Sequence, residues 1–371
     1  MRRIRSSGIS RVVMVALPQV AMAAVLAAVA VAAHGSEENV GSAYGSGDGS
    51  EKIAVGKPNI AVSTTDELVA ALAAATPGQT IDMAPGHYDG NFFATRKGTA
   101  GQPITLTGPR TAVLSNSAGK CDPGDGDIKF CGYGMHLHGA DYWNLTGFAV
   151  SDAAKGIVLD GSSHVVIDRV EVSDVDSEAI HLRGSSSDNV ISDSVVHDTG
   201  RTQPQYGEAI YLGSAKNHWD EFGVDGGPDR SDRNQVIGDH LGPNVAAEEV
   251  DIKEGTTGGV VKGNTFDGHG ISGQNAADSW IDVKGDGYQL SDNTGTYDGV
   301  GSLVDGYQVH QAVDGWGCQN AFVSNSSDLG GAGGYAIDVT DQKKCDQPNV
   351  VYASNTVKNA GSGLTNITVT N

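Results

Sequence analysis

Apolar residues recur along this chain in one short phrase, apolar-x-apolar. It reads Ile81-Asp82-Met83, Ile104-Thr105-Leu106, Met135-His136-Leu137, Ile157-Val158-Leu159 and Ile180-His181-Leu182. It continues as Ile210-Tyr211-Leu212, Val250-Asp251-Ile252, Ile281-Asp282-Val283, Tyr307-Gln308-Val309 and Ile337-Asp338-Val339. Alternation of period two predicts a strand with one buried face. Met135, Ile157 and Ile180 open phrases 22 and 23 residues apart, and wider intervals such as Ile210 to Val250 hold insertions. A second register runs beside the first: Asp168, Asp193, Asp239, Asn264, Asn293, Asn325 and Asn355 each fall at a bend between two strand-like runs. Asx residues tolerate left-handed backbone and bond to nearby amides, which suits corners. Short β-rich repeats of this period with Gly and Asx corners predict an all-β fold, a single-stranded right-handed parallel β-helix of about ten coils.

A solenoid must cover its apolar end. Thr64 and Glu67 have capping-box spacing and open a helix over Leu68 to Ala75, with Leu68, Leu72 and Ala75 on one face, which is expected to plug the N-terminal opening. Insertions at 107–134, 199–208, 217–233 and 268–279 are expected to wall a groove, three of them standing before the strands at Ile210, Val250 and Ile281.

The ends and the charge refine this picture. Residues 1–33 carry Arg2, Arg3, Arg5 and Arg11, then a largely apolar run from Val12 to Ala33 with a small-residue exit, the pattern of a cleaved signal peptide. An uncleaved membrane anchor is the alternative. Residues 34–58 read as a flexible linker and 59–371 as the solenoid domain. The net charge is −21, and dropping the four N-terminal arginines from 24 Lys+Arg against 45 Asp+Glu leaves −25. Such acidity argues against nucleic acid and anionic membrane as partners. An exported, monomeric protein is expected, and its four cysteines are expected to pair as Cys121–Cys131 and Cys318–Cys345.

The candidate chemistry lies on the outward face of the phrases. Glu208, Glu248, Glu249, Asp251, Lys253, Asp282 and Lys284 come from three consecutive coils and project to one side if the rungs stack about 4.8 Å apart. His181, Arg183, His310 and Trp280 are candidate sugar contacts, and Tyr211 sits one coil before Asp251. A solvated polar face with internal ion pairs is the plain alternative. No metal-ligand spacing of histidines, nucleophile elbow, P-loop or EF-hand pattern is present.

The series Gly207-Glu208-Ala209-Ile210-Tyr211-Leu212-Gly213, then Glu248 with Lys253, then Val283-Lys284-Gly285, resembles polysaccharide lyase family six, the chondroitinase B and alginate lyase group of right-handed parallel β-helices. The resemblance implies that Lys253 is the base, Glu248 a calcium-binding glutamate and Lys284 the counterpart of the catalytic arginine. Ala246 stands where the family has the first glutamate of its pair, and Lys284-Gly285 where it has Arg-His. Asp251 or Glu249 is the substitute carboxylate, with Glu208 nearby, so Ca²⁺ is the candidate cofactor. The implied activity is β-elimination on an acidic, uronate-containing polysaccharide. The carboxylate beside the abstracted proton must be neutralised by a cation or a basic side chain. A lysine base needs a lowered pKa, which Lys284 beside Lys253 is expected to give. Tyr211 is then the candidate to protonate the leaving oxygen. Two other readings compete: a glycoside hydrolase using Asp251 and Asp282, and a non-catalytic carbohydrate-binding or adhesive solenoid.

Overall fold

The computed structural model describes residues 59–123 and 130–371. The expected signal segment (1–33) and linker (34–58) lie outside the described residues. The described part belongs to a unit running from Ala54 to Asn371. Its strands form three parallel sheets of twelve, ten and ten strands. Successive strands visit the first, second and third sheet in turn and then pair with their counterparts one coil earlier, which is the winding of a β-helix. No helix among the described residues is long and apolar enough to cross a membrane.

The third sheet carries the phrases from Met135 onward in unbroken register: Met135 over Ile157, Ile180, Ile210, Val250, Ile281, Tyr307 and Ile337. Each of these residues is at most 1% exposed. Two phrases belong elsewhere. The strands Thr80–Met83 and Ile104–Thr107 stand in the first sheet, not in this column. All three sheets bury the same alternating pattern, so the phrase alone does not name its sheet.

The corners are built from a hydrogen-bonded ladder. Asn264 Oδ1 accepts from the Asp239 amide at 2.8 Å, Asn293 from Asn264 at 2.9 Å, Asn325 from Asn293 at 3.1 Å and Asn355 from Asn325 at 2.9 Å. Each Asn side-chain amide from 264 to 325 also donates to the next Asn Oδ1. Asp239 begins this run, accepting from the Ser194 amide at 2.8 Å. Asp168 and Asp193 lie outside it. Asp193 takes the left-handed position just before the ladder residue, with φ 48°. The ladder removes the buried amides of the corner from any need for water. It also buries Asn325, one of the chain's Asn-x-Ser/Thr triplets.

The N-terminal helix Thr65–Ala74 closes the end of the solenoid. The Thr64 hydroxyl accepts from the Glu67 amide and the Glu67 carboxylate accepts from the Thr64 amide, as the capping spacing predicts. Leu68, Leu72 and Ala75 are buried in the core. Disulfides join Cys121 to Cys131 and Cys318 to Cys345, as read from the sequence.

Candidate active site

The outward residues of the third sheet form a second column: His136, Val158, His181, Tyr211, Asp251, Asp282 and Gln308 on successive rungs. Insertions raise two rims beside it. Residues 199–208 and 268–278 leave the chain just before third-sheet strands. The insertion near 217–233 follows the strand Ile210–Leu212 and precedes the first-sheet strand Gln235–Ile237, so it forms the opposite rim rather than standing before Val250 in the same way. Asn275 of one insertion donates to the Gln205 carbonyl of another at 3.4 Å.

Two cavities lie between the rims. One of about 770 Å³ is lined by Lys155, Glu178, His181, Arg183, Tyr206 and Tyr211, among others. The other, about 420 Å³, is lined by Glu248, Asp251, Asp282, Lys284, His310 and Thr340, among others. Glu208, Lys253 and Asn275 line both, so the cavities meet at Lys253. The Lys253 ammonium lies 4.8 Å from the centre of the Tyr211 ring, and the His181 ring meets the same tyrosine edge-on at 4.4 Å.

The charges here are interlocked. Asp251 lies between the two lysines, paired with Lys253 through one oxygen and with Lys284 through the other at 3.1 Å. Lys284 also pairs with Asp282. Burial disfavours the charge on each lysine, but the attraction of Asp251 outweighs it, and both ammonium groups are held above the usual lysine range. The expected lowering of the Lys253 pKa by Lys284 is therefore absent, because a carboxylate separates the two ammonium groups. Burial likewise opposes the Asp251 charge, and the two lysines overcome it to hold the carboxyl low. Glu208 is pushed up to about 8 by burial and then by the Glu178 and Asp251 charges. Glu248 is raised well above its usual range by burial and then by Asp251 and Asp282. His181 is driven down to about 3 by burial and then Arg183. It is a neutral ring whose Nε2 hydrogen donates to the Gly213 carbonyl at 3.0 Å.

Glu208, Glu248 and Asp251 each offer a carboxylate oxygen, all within 4.8 Å of one another. Glu208 Oε2 is buried with no hydrogen-bond partner among the described residues. Four carboxylates, Glu208, Glu248, Asp251 and Asp282, face two ammonium groups, which leaves two negative charges to be met by two protons or by one divalent cation. An all-oxygen set of this kind fits Ca²⁺.

Two expected site residues turn elsewhere. Trp280 is fully buried in the core, edge-on to Tyr307 at 6.3 Å, in space left open by Gly295 and Gly306. It cannot stack on a sugar. Glu249 stands one position before Val250, as Trp280 stands one before Ile281, and is 0% exposed with both carboxylate oxygens unpartnered among the described residues. It is outside the carboxylate cluster. Arg183 is reached from the larger cavity, but Asp160 occupies its guanidinium at 2.6 and 3.1 Å. His310 rests on Gln308 at 2.9 Å and is partly exposed. The sequence reading missed the loop residues Tyr206, Phe222 and Asn275, and also the Lys155–Glu178 pair. The insertions were legible, but an irregular loop gives no periodicity to show which side chain turns inward.

The right-handed β-helix family model matches residues 105–220. A comparison with curated proteins finds no match. Among solved structures, an alginate lyase from Paenibacillus sp. str. FPU-7 is 38% identical, covering 83% of this chain and 97% of that one with a TM-score of 0.74. The pectate lyase Pel9A is 16% identical over 82% of this chain and 78% of its own, with a TM-score of 0.58. A mannuronic-acid-specific family-six lyase from human gut microbiota is 17% identical over 81% and 65%, with a TM-score of 0.55, so the likeness to family six is one of fold. At 38% identity over nearly the whole of the Paenibacillus enzyme, the relation extends beyond fold, and this chain belongs to the family of right-handed parallel β-helix polysaccharide lyases that includes it.

Proposed function

We propose that the protein is an exported lyase that cleaves a uronate polysaccharide of the alginate type by β-elimination. The observation that carries this reading is the meeting of the two cavities at Lys253, above Tyr211 and beside the Glu208–Glu248–Asp251 carboxylates. The 38% identity to an alginate lyase supports the substrate class. Two disulfides support an extracellular setting.

In this reading a polymer lies along the groove with a uronate at Lys253. The proton on the carbon bearing the carboxylate passes to the Lys253 amine. The electron pair of that C–H bond forms a carbon–carbon double bond, and the glycosidic C–O bond on the neighbouring carbon breaks. The leaving oxygen takes the Tyr211 proton. Burial, then the Asp251 and Glu208 carboxylates, raise the Tyr211 pKa and keep that proton in place until it is needed. Lys284 supplies positive charge next to the substrate carboxylate. In the free protein Lys253 is an ammonium paired with Asp251, so its amine forms only when that pair is broken. A divalent cation held by Glu208, Glu248 and Asp251 would supply charge to neutralise the substrate carboxylate and would compete with Lys253 for Asp251.

The test is a panel of alginate, pectate, glucuronan and glycosaminoglycans, read by absorbance for unsaturated product with and without chelator. Alginate or a close relative is expected to yield unsaturated ends. Saturated reducing ends in their place would move the hydrolase reading, with Asp251 and Asp282, ahead.

A further inference from the structure

We infer that the groove is walled off at its N-terminal end, so that the protein takes the end of a polysaccharide chain and releases short products from it. The catalytic part of this statement rests on the lyase reading above; the wall itself does not. On an open solenoid face the outward residues should meet solvent. Here His136 and Val158 are 0% exposed although both point outward, and only from His181 onward does the column border the groove.

What closes the N-terminal end crosses from rim to rim. His136 is held through both ring nitrogens, by Asp122 at 2.5 Å and Asp160 at 2.8 Å. Asp160 in turn holds Arg183 in a two-pronged pair, and Arg183 donates to the Tyr133 hydroxyl at 3.1 Å. The guanidinium lies 4.0 Å from the centre of the Phe222 ring and 5.2 Å from that of Phe130. Phe222 comes from the insertion after Ile210–Leu212, and Phe130 from the insertion before Tyr133–His138. Arg183 thus joins two rims that face each other across the groove.

This wall is fixed in place. The Cys121–Cys131 bond ties the segment bearing Asp122 and Phe130. On the other rim, fully buried Asp229 accepts from the Gly184 and Ser185 amides and from the Ser214 and Ser231 hydroxyls, at 2.8–3.0 Å. The larger cavity passes Glu178 and Lys155 and ends at Tyr133 and Cys131, so from the Tyr133 rung to the Lys253 rung it spans four coil spacings, about 19 Å. That is room for a short stretch of sugar and not for a continuing polymer. In the other direction the second cavity runs on past Lys284 and His310 to Thr340, where the polymer can leave.

Two measurements test the inference. In the first, wild-type protein digests a uronate polymer while viscosity and unsaturated product are followed together. A chain-end enzyme gives products of one or two short lengths from the first time point, with viscosity falling only in step with product. Phe222→Ala, which opens the wall, is expected to add longer products. An early ladder of long oligomers with rapid loss of viscosity overturns the inference. In the second, calorimetry of Lys253→Ala with chains of increasing length gives the number of proteins bound per chain. A number that stays constant as the chain lengthens supports end binding, and a number that grows with length overturns it. This second result holds whether or not any unsaturated product forms, so loss of the lyase reading leaves the wall still decided.

Discussion

Asp239 occupies a position that asparagine holds in the four following coils, and Asp239→Asn should stabilise the protein in a pH-dependent way. Its Oδ1 accepts from the Ser194 amide, but Oδ2 is buried with no partner among the described residues. Burial, with smaller contributions from Asp193 and Asp168, pushes its carboxyl from the ordinary aspartate range near 4 up to about 7. A carboxyl raised in the folded state binds protons more tightly folded than unfolded. Stability therefore falls as pH rises from about 4 to about 7, and levels off above that. Three pKa units correspond to about 4 kcal/mol, an upper bound on what ionised Asp239 costs at pH 8. Asparagine carries no charge. Its amide can reach back to a carbonyl of the preceding coil, as Asn264 does to Val236 at 3.0 Å. We expect Asp239→Asn to gain about 2–4 kcal/mol at pH 8 and little at pH 4. Urea unfolding of both proteins at the two pH values measures this, because the difference between them cancels the other titrating carboxyls. A variant no more stable than wild type at pH 8, or equally stabilised at both pH values, would refute the reasoning.

Three further outcomes follow from the site and the core. Trp280→Ala should cost about 3–5 kcal/mol in unfolding experiments, the penalty of a large core cavity, whereas an exposed sugar platform would cost almost nothing. Calorimetry should detect Ca²⁺ binding to the wild-type protein and a loss of at least tenfold in affinity for Glu248→Gln; equal affinity would remove Glu248 from the cation set. Asp251→Asn releases Lys253 from its counter-charge, so the acid limb of the pH–rate profile should move to lower pH if Lys253 works as an amine, and an unmoved limb would separate that limb from Lys253.

The fold was readable because its rule is local. Period-two alternation placed Met135 through Ile337 in one buried column, and the capping spacing at Thr64 and Glu67 located the end helix. Ile81 and Ile104 were assigned to the wrong sheet because the same phrase serves all three. The site was legible in its members and not in their mutual placement. The sequence put Asp251, Lys253 and Lys284 on adjacent rungs, yet which carboxylate lies between which ammonium groups depends on side-chain directions that spacing does not encode. The opposite fates of neighbouring Glu248 and Glu249 show the same limit. Glu248 joins the carboxylate cluster in the groove, whereas Glu249 stands just before the strand, as core Trp280 stands one position before Ile281, near a corner where simple alternation no longer says which way a residue points.

The most direct test of the account is elimination by wild type, Lys253→Arg and Tyr211→Phe on the same uronate oligomer, with binding measured in parallel. Arginine keeps its charge but gives up no proton at accessible pH, and phenylalanine keeps the ring against His181 but has no proton to give. The account predicts that both variants fold, bind the oligomer within a few-fold of wild type and lose at least a hundredfold in the rate of unsaturated-product formation. Lys253→Arg retaining most of the wild-type rate would contradict it.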